Sequence, residues 1–213
     1  MKLQHPVIAV LAALLCGAAC AATAPLSGPP TVDEPSRLPA GSSWVVAERT
    51  TGSYGWTTSH VTIRFLGEQI WNGRQARAFT DGTVTSYETD RELLATARGP
   101  RVIESFEPSY RYIEWPLSVG RSWVNTFRYV NHEKGRYHHV ESRVKVDGYE
   151  DVSTPSGALK AFKITYDDRY YAATVWYSPQ LGINVKSKEE RRREHSRGPG
   201  TRERELVSYD IRR

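Results

Sequence analysis

The chain has 213 residues, 39% hydrophobic and 25% charged, with 29 Lys and Arg against 24 Asp and Glu for a net charge of +5. That balance excludes collagen-like, wholly disordered and multi-span membrane classes, and the length suits one domain with a sizeable core once the N-terminal segment is set aside. The charge excess is local: residues 186–213 hold ten Lys or Arg and six Asp or Glu.

Lys2 opens a short basic head, Pro6 to Leu15 runs almost without a polar atom, and Gly17-Ala18-Ala19-Cys20-Ala21-Ala22 follows. Residues 1–21 therefore read as an export signal rather than a membrane span, since the apolar run is short and ends in alanines. Cys16 and Cys20 both fall inside it, so cysteine chemistry is excluded from the mature fold. Cys20 remains a candidate lipid-attachment residue, but Gly17 stands where a leucine-like residue is usual, and ordinary cleavage near Ala21 is favoured. The destination on either route is the periplasm or the outer-membrane periphery.

Residues 22–40, rich in Pro, Ser and Thr, read as a linker. From residue 41 to 213 the pattern has period two. Val61, Ile63 and Phe65 alternate with His60, Thr62 and Arg64; Val140, Val144 and Val146 lie opposite Glu141, Arg143 and Lys145; Phe162, Ile164 and Tyr166 alternate with Lys163 and Thr165. Asn72-Gly73 and Pro155-Ser156-Gly157 supply turns. No sustained helical stripe occurs, and the expectation is a single all-β domain whose antiparallel meanders form a curved sheet or open barrel.

Gly41-Ser42-Ser43-Trp44 matches Gly120-Arg121-Ser122-Trp123, and His60-Val61 matches His139-Val140 at the same spacing. Two similar halves, 41–106 and 115–186, are therefore expected to share one buried face. A charged hairpin over 183–211 turns at Gly198-Pro199-Gly200, with Val207, Tyr209 and Ile211 on its inward side. Glu189, Glu190, Glu194, Glu203 and Glu205 interleave with its arginines, which favours two solvated strands bearing cross-strand ion pairs and argues against nucleic acid.

The motifs Trp115-Pro116-Leu117-Ser118-Val119-Gly120-Arg121-Ser122-Trp123, Pro155-Ser156-Gly157, Ala161-Phe162-Lys163-Ile164 and Trp176-Tyr177-Ser178-Pro179-Gln180-Leu181-Gly182 resemble a widespread family of uncharacterised exported bacterial proteins, many of them lipoproteins or domains of unknown function. The resemblance spans residues 115–186 and implies an envelope-located antiparallel β domain. It brings no established activity, so no catalytic residue is carried over.

Catalytic patterns are sought and not found: there is no nucleophile elbow, phosphate loop or dinucleotide fingerprint, and no cofactor is implied. His132, His138 and His139 do not suggest a metal site, because adjacent strand residues point to opposite faces. Glu104, Glu107 and Glu114 are the carboxylates a cell-wall-acting enzyme would use. Of six tryptophans, Trp44 and Trp123 occupy equivalent repeat positions and read as core, whereas Trp56, in a turn, and Trp115, beside Pro116, are the candidate ligand-stacking residues. The expected function is a non-enzymatic envelope domain binding a hydrophobic or glycan ligand or an envelope partner. The alternatives are an assembly protein acting through the charged hairpin and a cell-wall enzyme without a motif.

Overall fold

The computed structural model describes residues 28–34, 36–86 and 92–212; the export signal, Cys16 and Cys20 lie outside them. Twelve antiparallel strands run in chain order: β1 Ser43–Thr50, β2 Thr57–Trp71, β3 Arg74–Phe79, β4 Thr83–Ser86, β5 Glu92–Arg98, β6 Arg101–Arg111, β7 Ser122–Asn131, β8 Arg136–Thr154, β9 Gly157–Asp167, β10 Tyr171–Ser178, β11 Ile183–Arg191 and β12 Gly200–Asp210. Each pairs with its neighbours, and β12 returns to β1, so the sheet closes into a barrel. Closure leaves no edge strand to template aggregation.

The alternating segments become half-buried strands. Ile63 and Phe65 keep 5% and 3% exposure, and Phe162, Ile164 and Tyr166 keep 2% or less, while His60, Thr62 and Arg64 face out. Asn72 and Gly73, at φ 46° and 76°, form the two-residue turn that matches strand twist between Trp71 and Arg74. Glu141, Arg143 and Lys145 on β8, and Lys188 and Glu190 on β11, point outward. Charged residues on the outer faces of these strands differ from the apolar band that a membrane-spanning barrel presents.

The repeat spacing has a counterpart in the strands: β1 opens at Ser43 and β7 at Ser122, β2 at Thr57 and β8 at Arg136. Trp44 and Trp123 are each the second residue of their strand and are 9% and 7% exposed. The hairpin over 183–211 does not stand apart, since β11 and β12 supply the last two staves and join β10 to β1.

Two expectations change. Part of the 22–40 stretch is packed on the barrel: Val32 and Leu117 exchange backbone hydrogen bonds of 2.9 and 2.7 Å, Leu38 is buried, and its carbonyl accepts from the Arg77 guanidinium at 2.5 Å. Second, the inward side of β12 is Arg202, Arg204 and Leu206 over most of its length. Val207 is the extra residue of a bulge opposite Val45 and Val46, which switches the alternation, and Tyr209 is left exposed at the strand end. Ile211 does pack inward, on the cluster of Trp44, Val46 and Leu206.

Candidate functional site

In an antiparallel barrel alternate turns fall at the same end. The β1–β2, β3–β4, β5–β6, β7–β8, β9–β10 and β11–β12 connections therefore share one rim, here called the polar rim. A 3-10 turn at Gly52–Tyr54 and the 192–199 connection meet there: the Ser53 amide donates to the Pro199 carbonyl at 2.8 Å, and the Ser53 hydroxyl to the Gly198 carbonyl at 2.7 Å.

Beneath this rim lies a cavity of about 310 Å³, lined from every strand but β9. Its walls change character along the barrel axis. On β11 the inward residues run Ile183, Val185, Ser187, Glu189, Arg191, and on β1 they run Trp44, Val46, Glu48, Thr50. The deep part is built from Trp44, Ile63, Phe79, Phe127, Val140 and Ile183, and the part under the polar rim from Tyr54, Glu104, Tyr129, His138, Glu189, Arg191 and Arg202.

Glu189, Glu104 and Arg204 each have an oppositely charged partner. Glu189 receives Arg202 Nη2 at 2.5 Å and the Tyr171 hydroxyl at 2.9 Å. Burial pushes its carboxyl up, but Arg202 and Arg204 outweigh that and hold it down at about 2. Glu104 accepts from Tyr129 at 2.6 Å and Thr96 at 2.9 Å, with Arg197 Nε at 2.8 Å. Burial opposes its charge, yet Arg197 and these hydroxyls keep its pKa below the usual value. Arg204 pairs with Glu48 at 2.6 Å. Asp168 caps the 168–171 turn, accepting from the Tyr170 and Tyr171 amides at 2.7 and 2.8 Å, and burial raises its pKa.

Arg191 and Arg202 both lie over the Tyr54 ring, 3.6 and 4.8 Å from its centre. Burial, reinforced by Glu189, pushes the Tyr54 hydroxyl up to about 12. His195 is pulled down to about 4, first by burial and then by Arg191, and is neutral near pH 7. His138 stacks on Tyr170 at 4.4 Å, and its pKa is lowered by burial and by Arg136 and Arg169.

The tryptophans singled out in the sequence do not line this cavity. Trp56 is 80% exposed on the outside of the polar rim. Trp115 is partly buried near Tyr177, with ring centres 6.1 Å apart, in the connection between β6 and β7 at the opposite end. Glu104, Glu107 and Glu114 are not brought together: Glu104 lines the cavity, Glu107 pairs outside with Arg128 at 2.5 Å, and Glu114 bridges Arg111 and Arg121 at 2.8 and 2.9 Å. His138 faces in while His139 faces out, and His132 hydrogen-bonds Ser105 at 2.9 Å. Among the described residues no group of three His, Cys, Asp or Glu side chains is placed to hold a metal ion.

The expectation of two solvated charged strands holds for one face of the hairpin only. Lys186 and Glu205 pair at 2.6 Å, but Glu189, Arg191, Arg202 and Arg204 point into the barrel. The signal that could have found them is the alternation of Ile183, Val185, Ser187, Glu189 and Arg191, which continues one apolar face into a charged one.

No protein-family model matches the sequence, and no curated protein does. Among solved structures, a protein described as exported and of YmcC-like fold from Bacteroides fragilis aligns with a TM-score of 0.44 and 14% identity, over 84% of this chain and 99% of its own. One described as a lipoprotein from Parabacteroides distasonis aligns at 0.43 with 10% identity, over 84% and 99%. The hypothetical lipoprotein YmcC from Escherichia coli aligns at 0.40 with 12% identity, over 78% and 84%.

Proposed function

We propose that the protein is an exported binding barrel of the cell envelope that holds an amphipathic small molecule in its interior. The observation that carries this reading is the graded inner wall: apolar at Ile183 and Val185, charged at Glu189 and Arg191, on a single strand. A cavity of about 310 Å³ stands at the lower end of the range of small-molecule sites, roughly 300–1,000 Å³. Export rests on the N-terminal sequence, with its apolar run and small-residue stretch. Binding is favoured over catalysis because Glu104 is engaged by Arg197, Tyr129 and Thr96 and has no second carboxylate from the Glu107 or Glu114 positions facing it. Binding is favoured over assembly through the hairpin because the inward charges of that hairpin are spent inside the barrel.

N-Phenyl-1-naphthylamine, an uncharged apolar dye, tests the reading. The wild type is expected to give saturable fluorescence enhancement, and Val140→Trp, which fills the deep part of the cavity, is expected to abolish it while circular dichroism remains that of a β protein. Absence of saturable enhancement in the wild type, or its full retention in V140W, overturns the proposal.

A further inference from the structure

Two of the arginines that point into the cavity are balanced by carboxylates: Arg202 by Glu189 and Arg204 by Glu48. Arg191 is not. It keeps only 9% exposure, yet among the described residues no carboxylate lies within ion-pair distance of its guanidinium. Its contacts are the Tyr54 ring, the Ser53 carbonyl at 3.3 Å and the Ser53 hydroxyl at 3.5 Å. An aromatic face and one carbonyl offset only part of the cost of burying a guanidinium, and Nε and Nη2 of Arg191 have no protein acceptor among the described residues.

A second observation points the same way. Arg202 Nε is buried without a hydrogen-bond acceptor, and this guanidinium lies over the same tyrosine ring. The acids nearest the cluster are already paired, Glu104 with Arg197 and Glu189 with Arg202, so Arg191 shares the field of Glu104 with Arg197 and has no carboxylate of its own. His195, also beside Arg191, adds no charge near pH 7.

Resting on the interior-binding reading, we infer that the bound molecule is an anionic amphiphile, whose carboxylate or phosphate completes Arg191 under the polar rim while its apolar body lies against Ile183, Val185 and Trp44. An anion at that place supplies the acceptor oxygens that the buried guanidinium lacks, and a planar guanidinium suits either oxyanion. The apolar wall begins at Val185, six residues before Arg191 on the same strand, so one extended amphiphile spans both environments.

The test compares amphiphiles with one dodecyl chain and different heads at pH 7.5: dodecanoate, dodecyl phosphate, dodecanol and dodecylamine. Each is measured by displacement of N-phenyl-1-naphthylamine and by direct calorimetric titration. In the wild type the two anions are expected to bind at least tenfold more tightly than dodecanol, with dodecylamine weakest. The tighter of dodecanoate and dodecyl phosphate tells a fatty-acid-like head from a phospholipid-like one. Arg191→Gln is expected to bring the anion-to-alcohol ratio close to one, and Arg191→Lys, which keeps the charge, to retain part of it. Equal binding of anions and dodecanol by the wild type, or an unchanged ratio in R191Q, overturns the inference while leaving interior binding intact. Absence of binding by dye and by every amphiphile overturns the interior-binding reading itself. Should R191Q not fold, the wild-type ratio and R191K decide.

Discussion

Glu189 on β11 stands directly across from Arg202 on β12, and the two side chains meet 2.5 Å apart inside the barrel. The pair sits on the seam that joins the last strand to the rest of the sheet. An ion pair buried in this way adds little over a well-packed apolar pair, but losing one member leaves a buried charge without compensation.

Glu189→Leu is therefore expected to lower unfolding free energy by about 3–5 kcal/mol, because Arg202 and the Tyr171 hydroxyl lose their acceptor. Combining Glu189→Leu with Arg202→Met is expected to restore a large part of that loss. Urea denaturation of the wild type, both single variants and the double variant measures the coupling; a double variant as unstable as the sum of the singles refutes it.

Acid is expected to destabilise the protein in two overlapping steps of the same sign. His195, held at about 4 against an ordinary 6.5, binds its proton more readily unfolded than folded, so stability falls as pH drops from 6.5 toward 4. Glu189, held at about 2 against 4.5, adds stability that is complete above pH 4.5 and lost as pH falls toward 2. The Glu189 step corresponds to on the order of 3 kcal/mol; the His195 step is smaller because that ring is partly exposed. Melting temperature measured from pH 7 to pH 3 is expected to decline throughout, and His195→Gln to flatten the limb between pH 6.5 and 4. A His195→Gln profile parallel to the wild type contradicts the assignment.

Gly52 has a φ of +60°, and a Cβ there would lie 2.4 Å from the Pro199 carbonyl oxygen and 2.8 Å from the Gly200 Cα. Both obstacles are backbone, so nothing yields cheaply. Gly52→Ala is expected to cost about 1–3 kcal/mol and to loosen the contact that places Tyr54 over Arg191. Hydrogen exchange at the Ser53 amide, bonded to the Pro199 carbonyl at 2.8 Å, is the readout and is expected to accelerate.

Phe162 has no exposed surface and packs against Tyr149 with ring centres 4.7 Å apart, whereas Trp56 is 80% exposed. Phe162→Ala is expected to cost about 3–5 kcal/mol, and Trp56→Ala to stay within about 0.5 kcal/mol. Trp56→Phe is also expected to remove most of the fluorescence that iodide quenches. A Trp56→Ala variant as unstable as Phe162→Ala would show that Trp56 is covered in solution.

The sequence by itself determined the all-β class, the Asn72-Gly73 turn, and the inward faces of Val140, Val144 and Val146 and of Phe162, Ile164 and Tyr166. These follow from local physics: strand side chains alternate, and an Asn-Gly pair suits the turn that joins twisted strands. Tertiary structure alone decided that β12 closes on β1, where Ser43 meets Asp210, and that Glu189, Arg191, Arg202 and Arg204 face inward. Alternation distinguishes two faces without saying which is inside when both carry charge. Burying a charged face is costly unless partners neutralise it, and two of those partners, Glu48 for Arg204 and Arg197 for Glu104, become neighbours only when the sheet closes.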